Sequence, residues 1–123
     1  MTKKSIALCD DNADLLRVLS DFLSKDPELE ILTFTSSVEL LRHLIEHPIP
    51  PDLLVIDYLL PDTEGENIIT SLRKHFVFKV MSIILMSGVV KNVEQIAKEA
   101  GANDYLIKPF SMGTFKQKVY KLL

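Results

Sequence analysis

The feature that most restricts the fold is a rhythm: short apolar runs of strand length alternate with stretches whose apolar residues follow the helical period. Ile6-Ala7-Leu8, Leu53-Leu54-Val55-Ile56, Ile83-Ile84-Leu85-Met86 and Tyr105-Leu106-Ile107 are such runs. They place strands near residues 5–10, 53–57, 80–86 and 103–107, with a further one near 30–34. Leu15, Leu16, Leu19, Phe22 and Leu23 mark a first helix, and Val38, Leu41, Leu44 and Ile45 a second. Ile68, Ile69 and Leu72 mark a third, Val93, Ile96, Ala97 and Ala100 a fourth, and Phe115, Val119 and Leu122 a fifth. Asn12 and either Ser36 or Ser37 suit helix N-caps, the Pro48, Pro50 and Pro51 cluster ends the second helix, and Gly101 suits a C-cap.

Runs that are apolar at every position belong to strands covered on both faces, and strict strand–helix alternation calls for right-handed crossovers in a parallel sheet. The expectation is an α/β doubly wound, three-layer sandwich. A length of 123 residues, 47% hydrophobic and 25% charged, suits one soluble domain spanning 1–123, with no repeat, low-complexity tract or flexible linker. The net charge of -3, from interspersed acids and bases, supplies no field for nucleic acid or anionic lipid, so neither is an expected partner. The apolar stretch between Met1-Thr2-Lys3-Lys4 and Asp10 is too short for a signal peptide or a membrane span, which points to the cytosol. Cys9 is the only cysteine, so an internal disulfide and a thiolate metal cage are both excluded, and it is expected to fill the core.

Chemistry gathers where the strands end. Asp10 and Asp11 follow the first strand, Asp57 closes the third, Ser87-Gly88 the fourth and Lys108-Pro109 the fifth. In a parallel sheet these ends share one edge, the place where open α/β folds bind ligands. Three carboxylates brought together favour a bound cation, and an all-oxygen donor set selects Mg²⁺ or Mn²⁺. Asp10 and Asp11 can equally be read as acids beside the first helix N-terminus, and Ser87-Gly88 as a turn. A lysine fixed by the following proline, a hydroxyl, and amides left open by Gly88 together make a cradle for a phosphoryl group.

The set Cys9-Asp10-Asp11, Asp57 with Pro61 and Gly65, Ser87-Gly88, and Tyr105-Leu106-Ile107-Lys108-Pro109-Phe110 resembles, in order and spacing, the receiver domains of two-component response regulators, the CheY-like family, over nearly the whole chain. The resemblance implies a flavodoxin-like (βα)5 fold with strand order 2-1-3-4-5. It implies Asp57 as phosphoacceptor, Asp11 as a direct Mg²⁺ ligand, Asp10 as a ligand through water, the Leu59 carbonyl as another, and Ser87 and Lys108 as holders of the phosphoryl oxygens. The implied partner upstream is a sensor histidine kinase or phosphotransfer protein. Downstream, an effector or a second copy would meet helix 4, strand 5 and helix 5, where Lys91, Glu94, Asp104, Lys116 and Lys118 are free to pair across a dimer and equally suit a solvated surface. Ser87 and Tyr105 occupy the family's switch positions; alternatively, Tyr105 is a strand residue that keeps its hydroxyl in water in both states.

Serine at 87, leucine at 60 and glutamate at 64 depart mildly from the family's usual residues and remove no reactive group. Leu59 and Val89 flank the expected phosphoryl site and offer no polar group to an attacking water, so a long-lived phosphorylated state is expected. Two other functions remain open on the residues alone: a metal-dependent phosphohydrolase with an aspartyl-phosphate intermediate, which Leu59 disfavours because a second acid is needed there, and a phosphorylation-independent interaction module. His43 and His47 have metal-pair spacing without further ligands and read as surface residues, and Met81, Met86 and Met112 as core. His75-Phe76-Val77-Phe78 is unusually apolar for a connection and is read as helix-end packing or a partner surface.

Overall fold

The computed structural model describes residues 3–47 and 49–123; Pro48 of the proline cluster and the Met1-Thr2 start lie outside the described residues. Strands β1 (Lys4–Cys9), β2 (Leu29–Phe34), β3 (Leu53–Asp57), β4 (Ser82–Ser87) and β5 (Asp104–Ile107) alternate with helices α1 (Ala13–Leu23), α2 (Ser37–Glu46), α3 (Gly65–Lys74), α4 (Val93–Ala100) and α5 (Met112–Lys121). The strands form one parallel sheet in the order β2-β1-β3-β4-β5, the flavodoxin-like arrangement expected above.

Side chains alternate across the sheet, and the alternation divides the core in two. Ala7, Cys9, Leu54, Ile56, Ile83 and Leu85 face α2, α3 and α4, where Leu40, Leu44, Ile69, Leu72, Val93 and Ala97 meet them. Ile6, Leu8, Leu53, Val55, Ile84 and Met86 face α1 and α5, packing on Leu16, Leu19, Leu23, Phe115 and Val119. Every residue of β3 is buried, because the central strand is covered on both sides.

The caps follow their residue chemistry. The Asn12 side chain accepts from the Leu15 amide, and Ser36, rather than Ser37, caps α2 by accepting from the Glu39 amide. Gly101 ends α4 at φ +103°, a left-handed conformation open to glycine. The fourth strand begins at Ser82, two residues later than the apolar run suggests: a short 3-10 turn (Phe76–Phe78) precedes it, and Val80 is 90% exposed. That turn splits the apolar connection, burying Phe78 in the core and leaving Phe76 92% exposed. His43 and His47 lie at the end of α2 with rings stacked at 3.9 Å, while Met81 and Met86 are buried and Met112 packs partly against the core.

Candidate functional site

Register carries the reactive residues to one edge. Cys9 pairs with Ile56, Asp57 with Met86 and Ser87 with Ile107, so the residues just beyond each strand emerge side by side. The chain ends are fixed by backbone bonds that extend the ladder: the Asp10 amide donates to the Phe34 carbonyl at 3.0 Å, the Tyr58 amide to Met86 at 2.7 Å, and the Lys108 amide to Ser87 at 2.8 Å. After Asp57 the chain folds back so tightly that the Gly65 amide donates to the Tyr58 carbonyl at 2.6 Å. A Cβ on residue 65 would stand 2.2 Å from the Asp57 carbonyl oxygen, so only glycine fits.

Asp10, Asp11 and Asp57 each bring a carboxylate oxygen within 4.8 Å of the others, with Asp10 and Asp57 buried and Asp11 exposed. Asp10 also accepts from the Asn12 amide at 2.9 Å, so the capping and the clustering roles coexist in one side chain. The Lys108–Pro109 peptide is cis, and the Lys108 ammonium lies 2.5 Å from Asp10 and 3.0 Å from Asp57. Burial pushes the Asp57 carboxyl above its ordinary range, with Asp10 and Asp11 adding to the rise against the opposing pull of Lys108. Burial also works against the Lys108 ammonium, but its bonds to Asp10 and Asp57 outweigh that and hold its pKa above the ordinary value.

Three carboxylates against one ammonium leave two negative charges uncompensated. This donor set, oxygen-only and partly buried, is typical of the Mg²⁺ site of a receiver domain and suits a hard divalent cation.

The remaining site residues sit close by in specific contacts. Ser87 is buried, and its hydroxyl oxygen accepts from the Val89 and Val90 amides at 3.2 and 3.3 Å, holding the turn into α4. Gly88 lies under Lys108, where a Cβ would approach the lysine Cβ at 3.2 Å. Leu59 and Val89 are exposed by 54% and 65% beside the pocket. Tyr105 stands away from the acids, on the face between α4 and α5: its hydroxyl donates to Glu94 at 3.0 Å rather than to solvent alone. The Lys118 ammonium sits 4.3 Å from the Tyr105 ring centre and donates to the Tyr105 carbonyl at 2.7 Å and to Asp104 at 3.0 Å. Glu94, Asp104 and Lys118, expected as free charges, are thus partners within the chain.

Sequence reasoning missed contacts made between distant elements. Asp62, at the tip of the loop between β3 and α3, accepts from the Ser37 amide and hydroxyl and from the Val38 amide across the molecule. An acid in a turn carries no sequence signal for a partner 24 or 25 residues away. The Glu94–Tyr105 bond, set by how α4 lies on β5, is equally silent.

Known proteins place this architecture. Residues 6–120 match the family model for the response regulator receiver domain. The chain is 31% identical over 106 residues, 86% of its length, to a protein-glutamate methylesterase/protein-glutamine glutaminase of Sulfurimonas denitrificans, and 29% identical over 124 residues to a protein named as a transcriptional regulator in Cyanophora paradoxa. It spans 30% and 49% of those two proteins. A CheY-like response regulator receiver domain protein of Methanospirillum hungatei superposes with a TM-score of 0.87 at 24% identity, covering 98% of this chain and 94% of that one. No helix among the described residues is long and apolar enough to cross a membrane. The match over residues 6–120, the five-stranded parallel sheet and the acidic pocket facing Lys108 together make this chain a member of the response regulator receiver domain family, a phosphoacceptor signalling module.

Proposed function

We propose that this chain takes a phosphoryl group onto Asp57 from the phosphohistidine of a sensor histidine kinase or phosphotransfer protein, working in the cytosol, and passes the signal through the face formed by α4, β5 and α5. The observation that carries this reading is the Asp57 carboxylate, buried at a strand end, 3.0 Å from the Lys108 ammonium and clustered with Asp10 and Asp11. A carboxylate that is desolvated yet not sealed off is a usable nucleophile, and the neighbouring ammonium is aimed where negative charge gathers during transfer.

In the proposed reaction an Asp57 oxygen forms a bond to phosphorus as the bond from phosphorus to the donor imidazole nitrogen breaks, and that nitrogen leaves with the bonding pair. Lys108 neutralises charge on the phosphoryl oxygens, and the Ser87 hydroxyl, released from the Val89 and Val90 amides, turns to meet one of them. Asp10, Asp11, Asp57 and the Leu59 carbonyl would hold Mg²⁺, or Mn²⁺ in its place, with Asp10 acting through water. When bound, the ion supplies positive charge to the transferring group. Hydrolysis restores Asp57, so the domain promotes only its own phosphorylation and dephosphorylation.

Output follows from the pairing of Ser87 with Tyr105. Withdrawal of the hydroxyl toward the phosphoryl group opens space beside β5, and Tyr105 turns inward, giving up its bond to Glu94. A depression of about 480 Å³ lined by Lys91, Val93, Glu94, Lys98, Tyr105 and Ile107 then changes shape, on the face where an effector or a second copy would dock. Leu59 and Val89 leave no polar side chain to orient water on the phosphoryl group, so the phosphorylated state is long-lived. Leu59→Asn together with Val89→Glu should shorten its half-life severalfold, as followed by loss of label, and an unchanged half-life contradicts that part of the account.

Incubation with a small-molecule phosphodonor and Mg²⁺ tests the whole reading. One stable phosphoryl group per chain is expected. Continuous phosphate release would indicate a phosphohydrolase instead, and no reaction would indicate a phosphorylation-independent module.

A further inference from the structure

We propose that Asp62 is a positioning residue, clamping the loop that carries Leu59 onto the first turn of α2 and so pre-setting the cation pocket. The inference rests on the Mg²⁺-dependent reading above and extends it to a side chain outside the acidic cluster.

The loop from Tyr58 to Gly65 is fastened within itself, by the Leu60 amide to the Thr63 carbonyl at 3.1 Å, by the Gly65 amide to Tyr58, and by the Tyr58 hydroxyl to Glu64. At its start the Tyr58 amide is held by the Met86 carbonyl, and Leu60 is buried in the core, which leaves the tip of the loop to be placed. Among the described residues, Asp62 at that tip is the loop side chain that hydrogen-bonds to a sequence-distant element. One oxygen accepts from the Ser37 amide at 3.2 Å; the other accepts from the Ser37 hydroxyl at 2.6 Å and the Val38 amide at 3.0 Å. Ser36 already satisfies the Glu39 amide at 3.2 Å, so Asp62 completes the donors of the first turn of α2 and sets its charge against the positive helix end.

The anchor itself is tied to the pocket from the other side. The Asp10 amide donates to Phe34, and the Cys9 thiol donates to the Ser36 carbonyl at 3.6 Å, so the residues before α2 are joined to the strand end that bears Asp10. The clamp therefore closes a circuit running from Cys9 and Asp10 through Ser36 and Ser37 to Asp62, and back along the loop to Leu59 and Asp57. A ligand carbonyl held in place before the ion arrives spares binding the cost of ordering the loop, as partners of metal ligands do elsewhere.

The test is a calorimetric titration of Mg²⁺ into the unphosphorylated protein, for wild type, Asp62→Ala and Ser37→Ala. Asp62→Ala should weaken Mg²⁺ binding roughly tenfold. Ser37→Ala keeps the Asp62 charge, loses only the hydroxyl bond, and should weaken it about threefold. In labelling assays the Mg²⁺ concentration for half-maximal rate should rise by the same factors, with the maximal rate retained. Wild-type affinity in both variants, even with a lowered Tm, would reduce Asp62 to a structural cap and overturn the inference. Weaker binding in Asp62→Ala with no change in Ser37→Ala would assign the effect to charge and overturn it equally. If Asp62→Ala does not fold, Ser37→Ala decides alone. A wild type that binds no Mg²⁺ would instead overturn the underlying Mg²⁺-dependent reading.

Discussion

The two edges of the sheet treat their polar groups in opposite ways. At the amino-terminal edge the Arg73 guanidinium donates to the carbonyls of Gly101 (2.8 Å), Phe78 (3.1 Å) and Lys79 (3.2 Å) and to the side chain of Asn103 (2.9 Å). Asn103 in turn accepts from the Ile83 amide, and Asp52 accepts from the Ser5 amide at 2.7 Å. Strand starts and helix ends there are stitched together with their donors matched to acceptors. At the carboxyl-terminal edge, Lys108 is shared between Asp10 and Asp57, and acidic charge is left over. One edge spends its polar groups on stability. The other withholds them for a cation and a phosphoryl group, and the raised Asp57 pKa reports its burial first and the neighbouring Asp10 and Asp11 carboxylates second.

If that division is real, mutations at the two edges should separate activity from stability. The largest effect is expected from Lys108→Ala, which removes the ammonium aimed at the transferring group: labelling by a phosphodonor should slow by about a hundredfold or more, with Asp57 still present. A labelling rate within a few fold of wild type would break the contrast at its strongest point. Gly65→Ala bridges the two behaviours, because its methyl must displace the Asp57 backbone. It should cost about 3 kcal/mol in denaturant unfolding and also depress labelling. Arg73→Ala belongs to the other edge: leaving the Gly101, Phe78 and Lys79 carbonyls without their donor should cost about 2 kcal/mol, while labelling well below Tm stays at the wild-type rate. Loss of labelling in folded Arg73→Ala would show the edges to be coupled.

The smallest effect lies in pH. The folded chain holds the Asp57 proton more tightly than the unfolded chain does, since the ordinary carboxyl value of 3.8 is raised on folding. Stability of the metal-free protein should therefore fall as pH rises from that value through the raised folded value. Asp57→Asn should remove this component of the slope, which chemical denaturation at a series of pH values measures. Lys108 acts in the reverse sense: its folded pKa is raised, so its contribution is fully present below 10.5 and is lost only as pH climbs through the folded value.

What the sequence makes legible follows the same division. Covered strands need apolar residues at every position, so Leu53 to Ile56 and Ile83 to Met86 declare themselves, and with them the edge at which Asp57 and Ser87 emerge. Asn12 and Gly101 are legible because caps use few residue types for local reasons. The start of β4 is misplaced because Val80 is apolar, while the 3-10 turn before it is set by how Phe78 reaches the core. The Asp62 clamp and the Glu94–Tyr105 bond are invisible in sequence for a deeper reason: each depends on two elements being brought together by the finished sheet. Arg73 is similar, an ordinary helix residue until α4 and the 3-10 turn close around it.

The central claim is that a single carboxylate, Asp57, forms the acyl phosphate. Intact-mass spectrometry after incubation with a phosphodonor and Mg²⁺ measures it most directly, comparing wild type with Asp57→Asn. The account predicts the mass of one added phosphoryl group on the wild type and none on the variant; a variant that labels as fully as the wild type would contradict it.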